Sequence, residues 1–406
     1  MLIESFQRQS QINCSGLHVI GIQDTTEYNY QHHKNRLKED TLGRVVNNAD
    51  VGYFAHLMVV FDAKSCLPQG ISYCKMWSRP EKRLSKTERD YKHQPIEEKE
   101  SYRWLEAADQ TRNLLDTAKH FTFLSDRESD IYQLWDRVPD DKTDFIIRAR
   151  GDRFLSGQDT TVKDTLNKLP VSGTYTVNIR DDKRSKRTCR EAIIHVKYTE
   201  LSIRKPNKLD KDQVTNDHVT LIVVEAKEDP CSHNQAEQPI HWILYTTHAV
   251  RNHEEACRII DWYSFRWQIE QFFRLTKSKG IDLESSQLET GDGLKKLGLM
   301  GFASALRILQ LRLARDGILN DRVEKYFNPM EIVVLRILDK DLKGTTQKQQ
   351  NPFPQLTLSW AAWLIARLGG YSGYISQSPP GPLTFKWGLN RFNQTVEAFI
   401  LFRKDV

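Results

Sequence analysis

The chain has 406 residues, more than one hydrophobic core usually serves, so two or three structural units are expected. A hydrophobic content of 39%, with 17 Phe, 14 Tyr and 9 Trp, supports a sizeable core and excludes a disordered chain. The formal net charge of +6 is too small to establish a nucleic-acid partner.

Basic residues do cluster, at 183–187, at Arg204 and Lys205 with Lys208 and Lys211, and at Arg148, Arg150 and Arg153. Each cluster taken singly reads as a solvated face. Six cysteines without a C-x-x-C pair indicate neither a disulfide framework nor a zinc site, and fit reduced thiols. The N-terminus lacks a basic leader followed by an apolar stretch, and no apolar run reaches about 18 residues. The expectation is a soluble, cytoplasmic protein.

In chain order, residues 17–22 form an apolar run that stops at Gln23-Asp24-Thr25-Thr26, which predicts a buried strand with Asp24 at its carboxyl end. Residues 53–61 and 70–76 predict two more strands, and residues 98–118 a charged helix with a partial apolar stripe. A strand over 120–124 then ends at Ser125-Asp126-Arg127-Glu128, and a short helix leads to a strand over 144–150. From 151 to 247 the pattern turns to β-like runs at 174–179, 192–198, 218–226 and 241–245. Helical patterning resumes near 252, with pieces at 293–315, 329–338, 356–368 and 394–402, and Gly369-Gly370 predicts a helix stop. The fold class expected is α/β with a β-rich insertion and a helical C-terminal region. Its divisions are 1–150 and 248–320 for the core, 151–247 for the insertion and 321–406 for the helical end.

Two aspartates at strand ends of one α/β unit suit a ligand crevice, since loops diverge there. Either alone is more often a turn or N-cap residue. The segment from Tyr263 to Lys277 is more informative. At about 100° per residue, Tyr263, Arg266, Glu270 and Lys277 fall within roughly 60° of one helix face. A salt-bridged surface face, with Arg266 and Glu270 as an i,i+4 pair, is the bland alternative. The chemistry offers a sharper one. Three carboxylates can hold two hard divalent cations, and such a pair serves in-line phosphodiester displacement. Arg and Lys on the same face then hold flanking phosphates, the first as a fork and the second as a point charge.

Tyr263, Arg266, Glu270 and Lys277 reproduce the Y-x2-R-x3-E-x6-K pattern, and here the chain resembles the IS-four family of bacterial DDE transposases. Ile22-Gln23-Asp24-Thr25-Thr26 and Ser125-Asp126-Arg127-Glu128-Ser129-Asp130-Ile131 resemble the family's other two acidic blocks. The acids are spaced by about a hundred and then about 140 residues, as in that family. Ala366 to Gly370, with Trp387-Gly388, is similar to the C-terminal part, so the likeness covers nearly the whole chain.

This resemblance implies a ribonuclease-H-like core with Asp24, Asp126 and Glu270 as catalytic metal ligands. It implies two Mg2+ or Mn2+ ions per site, and cleavage and strand transfer at transposon ends. Tyr263, Arg266 and Lys277 would bind DNA phosphates. Trp242 and Trp267 would stack beside a flipped base, and Arg148 would lie near the site. Without the likeness, Trp242 on an apolar strand reads as core. The implied partners are double-stranded DNA and a second copy in a synaptic homodimer whose contacts involve the C-terminal helices. Only 23 residues precede Asp24, without a helix-turn-helix pattern or basic cluster, which places end recognition by a separate N-terminal domain in question. The alternative expectation is a DNA-binding inhibitor that associates with a full-length transposase.

Overall fold

The computed structural model describes residues 2–38, 42–45, 49–80, 94–179, 188–207, 209, 213–232, 237–277, 280–346, 349–374 and 378–403. The basic run at 183–187, and Lys208 and Lys211, lie outside the described residues. Helix α1 (Leu2–Cys14) and strands β1 (His18–Asn29), β2 (Gly43–Arg44), β3 (Val51–Asp62) and β4 (Pro68–Trp77) come first. Then follow α2 (Arg103–Leu114), β5 (His120–Ser125), α3 (Tyr132–Arg137), β6 (Thr143–Arg148) and α4 (Val162–Lys168). Strands β7 (Gly173–Ile179), β8 (Arg190–Arg204), β9 (His218–Glu228) and β10 (His241–Thr246) lead to the α-helices of the C-terminal part. These are α5 (His253–Phe265), α6 (Trp267–Lys277), α7 (Gly291–Ala314), α8 (Pro329–Asp341), α9 (Leu358–Leu368) and α10 (Pro382–Arg403). The fold is mixed α/β, with a mixed sheet and a helical C-terminal part.

Two compact units are formed: Met1–Val19 with Thr25–Glu81 and Gln268–Val406, and Ile20–Asp24 with Lys82–Trp267. In the second unit β5 lies between β1 and β6, and the strand order continues β6-β10-β9-β8-β7. The β5–β6 pair is parallel and the pairs from β6 to β7 are antiparallel. The apolar residues of β5 and β6 are buried on both faces, as their unbroken runs predict. Trp135 of α3 packs edge-on against Tyr245 of β10 at 5.1 Å, and the Arg153 guanidinium caps Trp135 from 4.9 Å. Arg153 also pairs with the buried Asp130 carboxylate at 2.5 Å. Of the basic cluster at 148–153, that residue is therefore a core prop, not part of an open face.

In the first unit β3 pairs antiparallel with β4 and β2 and neighbours β1. Helix α1 packs on β4, with Asn13 Nδ2 donating to the Gln69 carbonyl at 2.9 Å. Helix α7 is long and apolar enough, by length and composition, to cross a membrane, which the absence of a clear 18-residue run did not suggest. It packs against α9, α10 and β4, and half of its most apolar stretch is buried, as in a core helix. Gly369 ends α9 and Gly370 takes φ +92°, the left-handed stop expected from the Gly-Gly pair. Gly388 brings α10 against α9, for a Cβ there would meet the Ile365 carbonyl oxygen at 1.9 Å.

Two expectations are corrected. β1 does not end at Asp24 but runs on to Asn29, because Thr25, Thr26 and Tyr28 are good strand formers and β3 extends the pairing. Asp24 therefore sits within a strand. The helix expected to carry Tyr263 through Lys277 is interrupted at Arg266, which keeps right-handed dihedrals but caps α5 with its N–H on Tyr263 O. Tyr263 closes α5, whereas Glu270 and Lys277 ride on α6.

Candidate active site

In the second unit Asp24 stands on β1 beside β5, and Asp126 is the first residue after β5. Asp126 caps the short 3-10 turn over Arg127–Ser129, its Oδ1 accepting from Glu128 N at 2.8 Å. That fixes the carboxylate's orientation through the backbone. Arg266 Nη1 lies 3.4 Å from Asp24 Oδ2, and both side chains keep partial exposure, 14% and 21%. The distance is long for a tight ion pair, and both groups remain reachable from solvent.

Tyr263 is buried at the end of α5, and burial pushes its phenol pKa up, opposed by the guanidinium groups of Arg266 and Arg148. It therefore remains a protonated donor at neutral pH. The Arg266 guanidinium lies 5.8 Å from the centre of the Tyr263 ring. Arg148, at the end of β6, donates to the His241 carbonyl at 3.2 Å. Burial lowers the Arg148 pKa while the Tyr263 phenol opposes that shift. Trp242 of β10 is half-buried and meets Tyr263 edge-on, with ring centres 5.1 Å apart. It is thus not a closed core residue. Trp267 is 49% exposed.

The structure brings Asp24, Arg266, Tyr263, Arg148 and Trp242 into one linked set within the second unit, with Asp126 felt by Tyr263. It adds Arg103, which sequence reasoning missed. This guanidinium, 11% exposed in its side chain, donates to Glu128 Oε2 and to the Glu100 carbonyl, each at 2.7 Å. Burial lowers its pKa, opposed by Glu128, Glu100, Asp126 and Asp24. No spacing in the sequence distinguishes Arg103 from other helix-start arginines.

Glu270 and Lys277 belong to the first unit, on α6. There the Lys277 ammonium lies 5.5 Å from the Tyr28 ring centre, and the Tyr28 hydroxyl is 2.6 Å from Thr276 Oγ1. Tyr28 lies on the extension of β1 past Asp24.

Hard carboxylate oxygens beside several guanidinium groups suit divalent ions and phosphates. The comparison with protein families agrees with that chemistry: residues 100–306 match the transposase DDE domain. The matched stretch contains Asp126, Tyr263, Arg266, Glu270 and Lys277 and begins after Asp24. Members act on DNA as nucleases and transesterases with divalent metal, so the same is implied for this chain. Spanning half of the sequence, the match shows that the chain belongs to the transposase DDE domain family.

Proposed function

We propose that the chain cuts and joins DNA at the ends of a transposable element, as a cut-and-paste transposase of the IS-four type on a ribonuclease-H-like core. Residues 151–247 form an insertion within that core. Asp24, Asp126 and Glu270 are assigned as the metal ligands. The observation carrying this reading is Asp24 on β1 and Asp126 just past the end of the neighbouring β5, with Arg266, Tyr263 and Arg103 acting on them.

The donor set fits the ions: carboxylate oxygens with solvent access are what Mg2+ or Mn2+ takes while retaining water. Two such ions supply activation of the attacking oxygen and stabilisation of the leaving one. The chain's own residues do the rest. Glu128 N–H holds the Asp126 carboxylate in one orientation, and Arg266 stands beside the Asp24 carboxylate. Arg266, Arg148 and the neutral Tyr263 phenol hold phosphate oxygens of the strand being cut, with Lys277 on the flanking phosphate. Trp242 and Trp267 offer faces on which an unstacked base rests. The exposed apolar residues of α10, Leu383, Trp387, Leu401 and Phe402, are assigned to pairing of two copies on paired DNA ends, whereas those of α9 are buried in the core.

Incubation of purified protein with a duplex carrying the element's end, in Mg2+, Mn2+ or EDTA, tests this directly. Strand-specific nicks at the end that require the ion are expected. Intact duplex in every condition, from protein shown to be folded and bound to DNA, overturns the assignment.

A further inference from the structure

At the opposite end of β5 from Asp126, three side chains converge that the proposed transposition chemistry does not use. His120 opens β5, Asp144 is the second residue of β6, and His248 follows β10. Strand register explains the meeting. Thr122 of β5 pairs with Asp144, and the antiparallel β6–β10 register, carried two residues past Thr246↔Ile146, sets His248 opposite Asp144. His120 lies two residues before Thr122, so the period-2 alternation of strands puts all four side chains on one face. The ligand atoms of His120, Asp144 and His248 all lie within 4.8 Å of one another.

We propose that His120 Nε2, His248 Nδ1 and Asp144 Oδ2 form a transition-metal site, with zinc the ion it suits best. The two imidazole nitrogens lie 2.8 and 3.2 Å from the same carboxylate oxygen. Ligand atoms around tetrahedral zinc, at bond lengths near 2.0–2.1 Å, stand about 3.3 Å apart. Small ring rotations therefore admit the ion. Two imidazoles and one carboxylate select zinc and its transition-series neighbours, whereas Mg2+ takes oxygen.

The surroundings match a metal centre in a further respect. Thr122 Oγ1 sits 2.9 Å from His248 Nε2, which turns Nδ1 toward Asp144, the arrangement by which outer partners orient ligating histidines. Trp262 covers His248 with ring centres 5.0 Å apart, and the His248 N–H donates to Thr246 Oγ1 at 3.1 Å. The ligands keep 15–28% side-chain exposure, enough for an ion to enter and for water to complete the fourth position. No sequence spacing announces the site, because its ligands come from β5, β6 and the bend after β10, apart in the chain. Its action is to tie together the ends of β5, β6 and β10, about 20 Å along the sheet from Asp126.

The test is zinc content and affinity of the full chain after chelator stripping, zinc loading and dialysis, with Co2+ absorption as a second probe. Wild type is expected to retain one zinc that excess Mg2+ does not displace, and to give the visible bands of tetrahedral Co2+. His248→Ala and His120→Ala should lose that equivalent, while Asp126→Asn and Glu270→Gln retain it. Thr122→Val, which keeps all three ligands, should weaken binding by roughly 10-fold or more even if the histidine variants fail to fold. Wild type that holds no zinc overturns the proposal. So does zinc lost equally from Asp126→Asn, or zinc affinity unchanged in Thr122→Val.

Discussion

Trp242→Ala separates a stacking plate from a structural aromatic. Deleting a fully buried Trp costs about 3–5 kcal/mol. Trp242 is half-buried, so about 2 kcal/mol of stability is expected from lost packing. Part of that is the edge contact with Tyr263, about 0.5–1.5 kcal/mol for such a pair. If the ring also carries an unstacked base, about 1–3 kcal/mol is lost at the steps that need one. That is a slowing of roughly 5- to 150-fold. The assay is single-turnover cleavage, scoring first-strand nicking, hairpin formation and hairpin opening separately, beside urea melts of the same protein. Nicking should fall only a few-fold, through the disturbed Tyr263, while the hairpin steps fall by the larger factor. Trp242→Phe should recover most of both. Equal slowing of all steps in the Ala variant, tracking its stability loss, would refute the stacking role.

Arg266→Lys keeps a charge near Asp24 but loses the planar fork, so cleavage should drop by at least about 10-fold with folding intact; unchanged cleavage rates would contradict phosphate holding by this residue. Gly388→Ala should destabilise the first unit by about 1–3 kcal/mol, because its Cβ meets a backbone oxygen that cannot yield, outweighing about 1 kcal/mol of helix propensity. Gly381→Ala, where nothing lies within 4 Å, is the neutral control, and equal urea midpoints for the two would refute the packing argument. Alkaline stability should fall above pH 10: burial pushes the phenols of Tyr28, Tyr53, Tyr245 and Tyr326 up, and that of Tyr30 to about 12. The unfolded chain then releases protons first, so stability present below the ordinary value of 10.0 is lost as pH rises toward the folded values. Phenolate absorbance should appear together with loss of near-ultraviolet circular dichroism; complete titration of tyrosine in a folded protein would contradict this.

Most strands were legible because buried apolar runs bounded by polar residues mark them, as in β5, β6 and β10. The reading failed where tertiary pairing overrides a local stop. β1 passes through Gln23-Asp24-Thr25-Thr26 because a neighbouring strand pairs with the residues beyond. The break at Arg266 was invisible for the opposite reason, since its dihedrals stay helical and only the hydrogen-bond pattern changes. Helix α10 begins at Pro382, well before the expected 394, and α1 had no sequence signal. Asp24, Asp126, Tyr263 and Arg266 were legible as a spaced pattern of residue types. The His120–Asp144–His248 cluster was not, because strand register assembles it, and Arg103 was not, because tertiary packing of α2 brings it to Glu128.

Asp24, Asp126 and Glu270 are proposed to hold the ions that cut DNA. The most direct measurement compares wild type with Asp24→Asn, Asp126→Asn and Glu270→Gln on the same end duplex in Mn2+. All four proteins are first matched for circular dichroism and DNA binding. Each substitution removes one ligand charge while keeping shape, so each alone should abolish nicking, with duplex binding retained within a few-fold. Near wild-type nicking by the Glu270→Gln protein would remove Glu270 from the metal site.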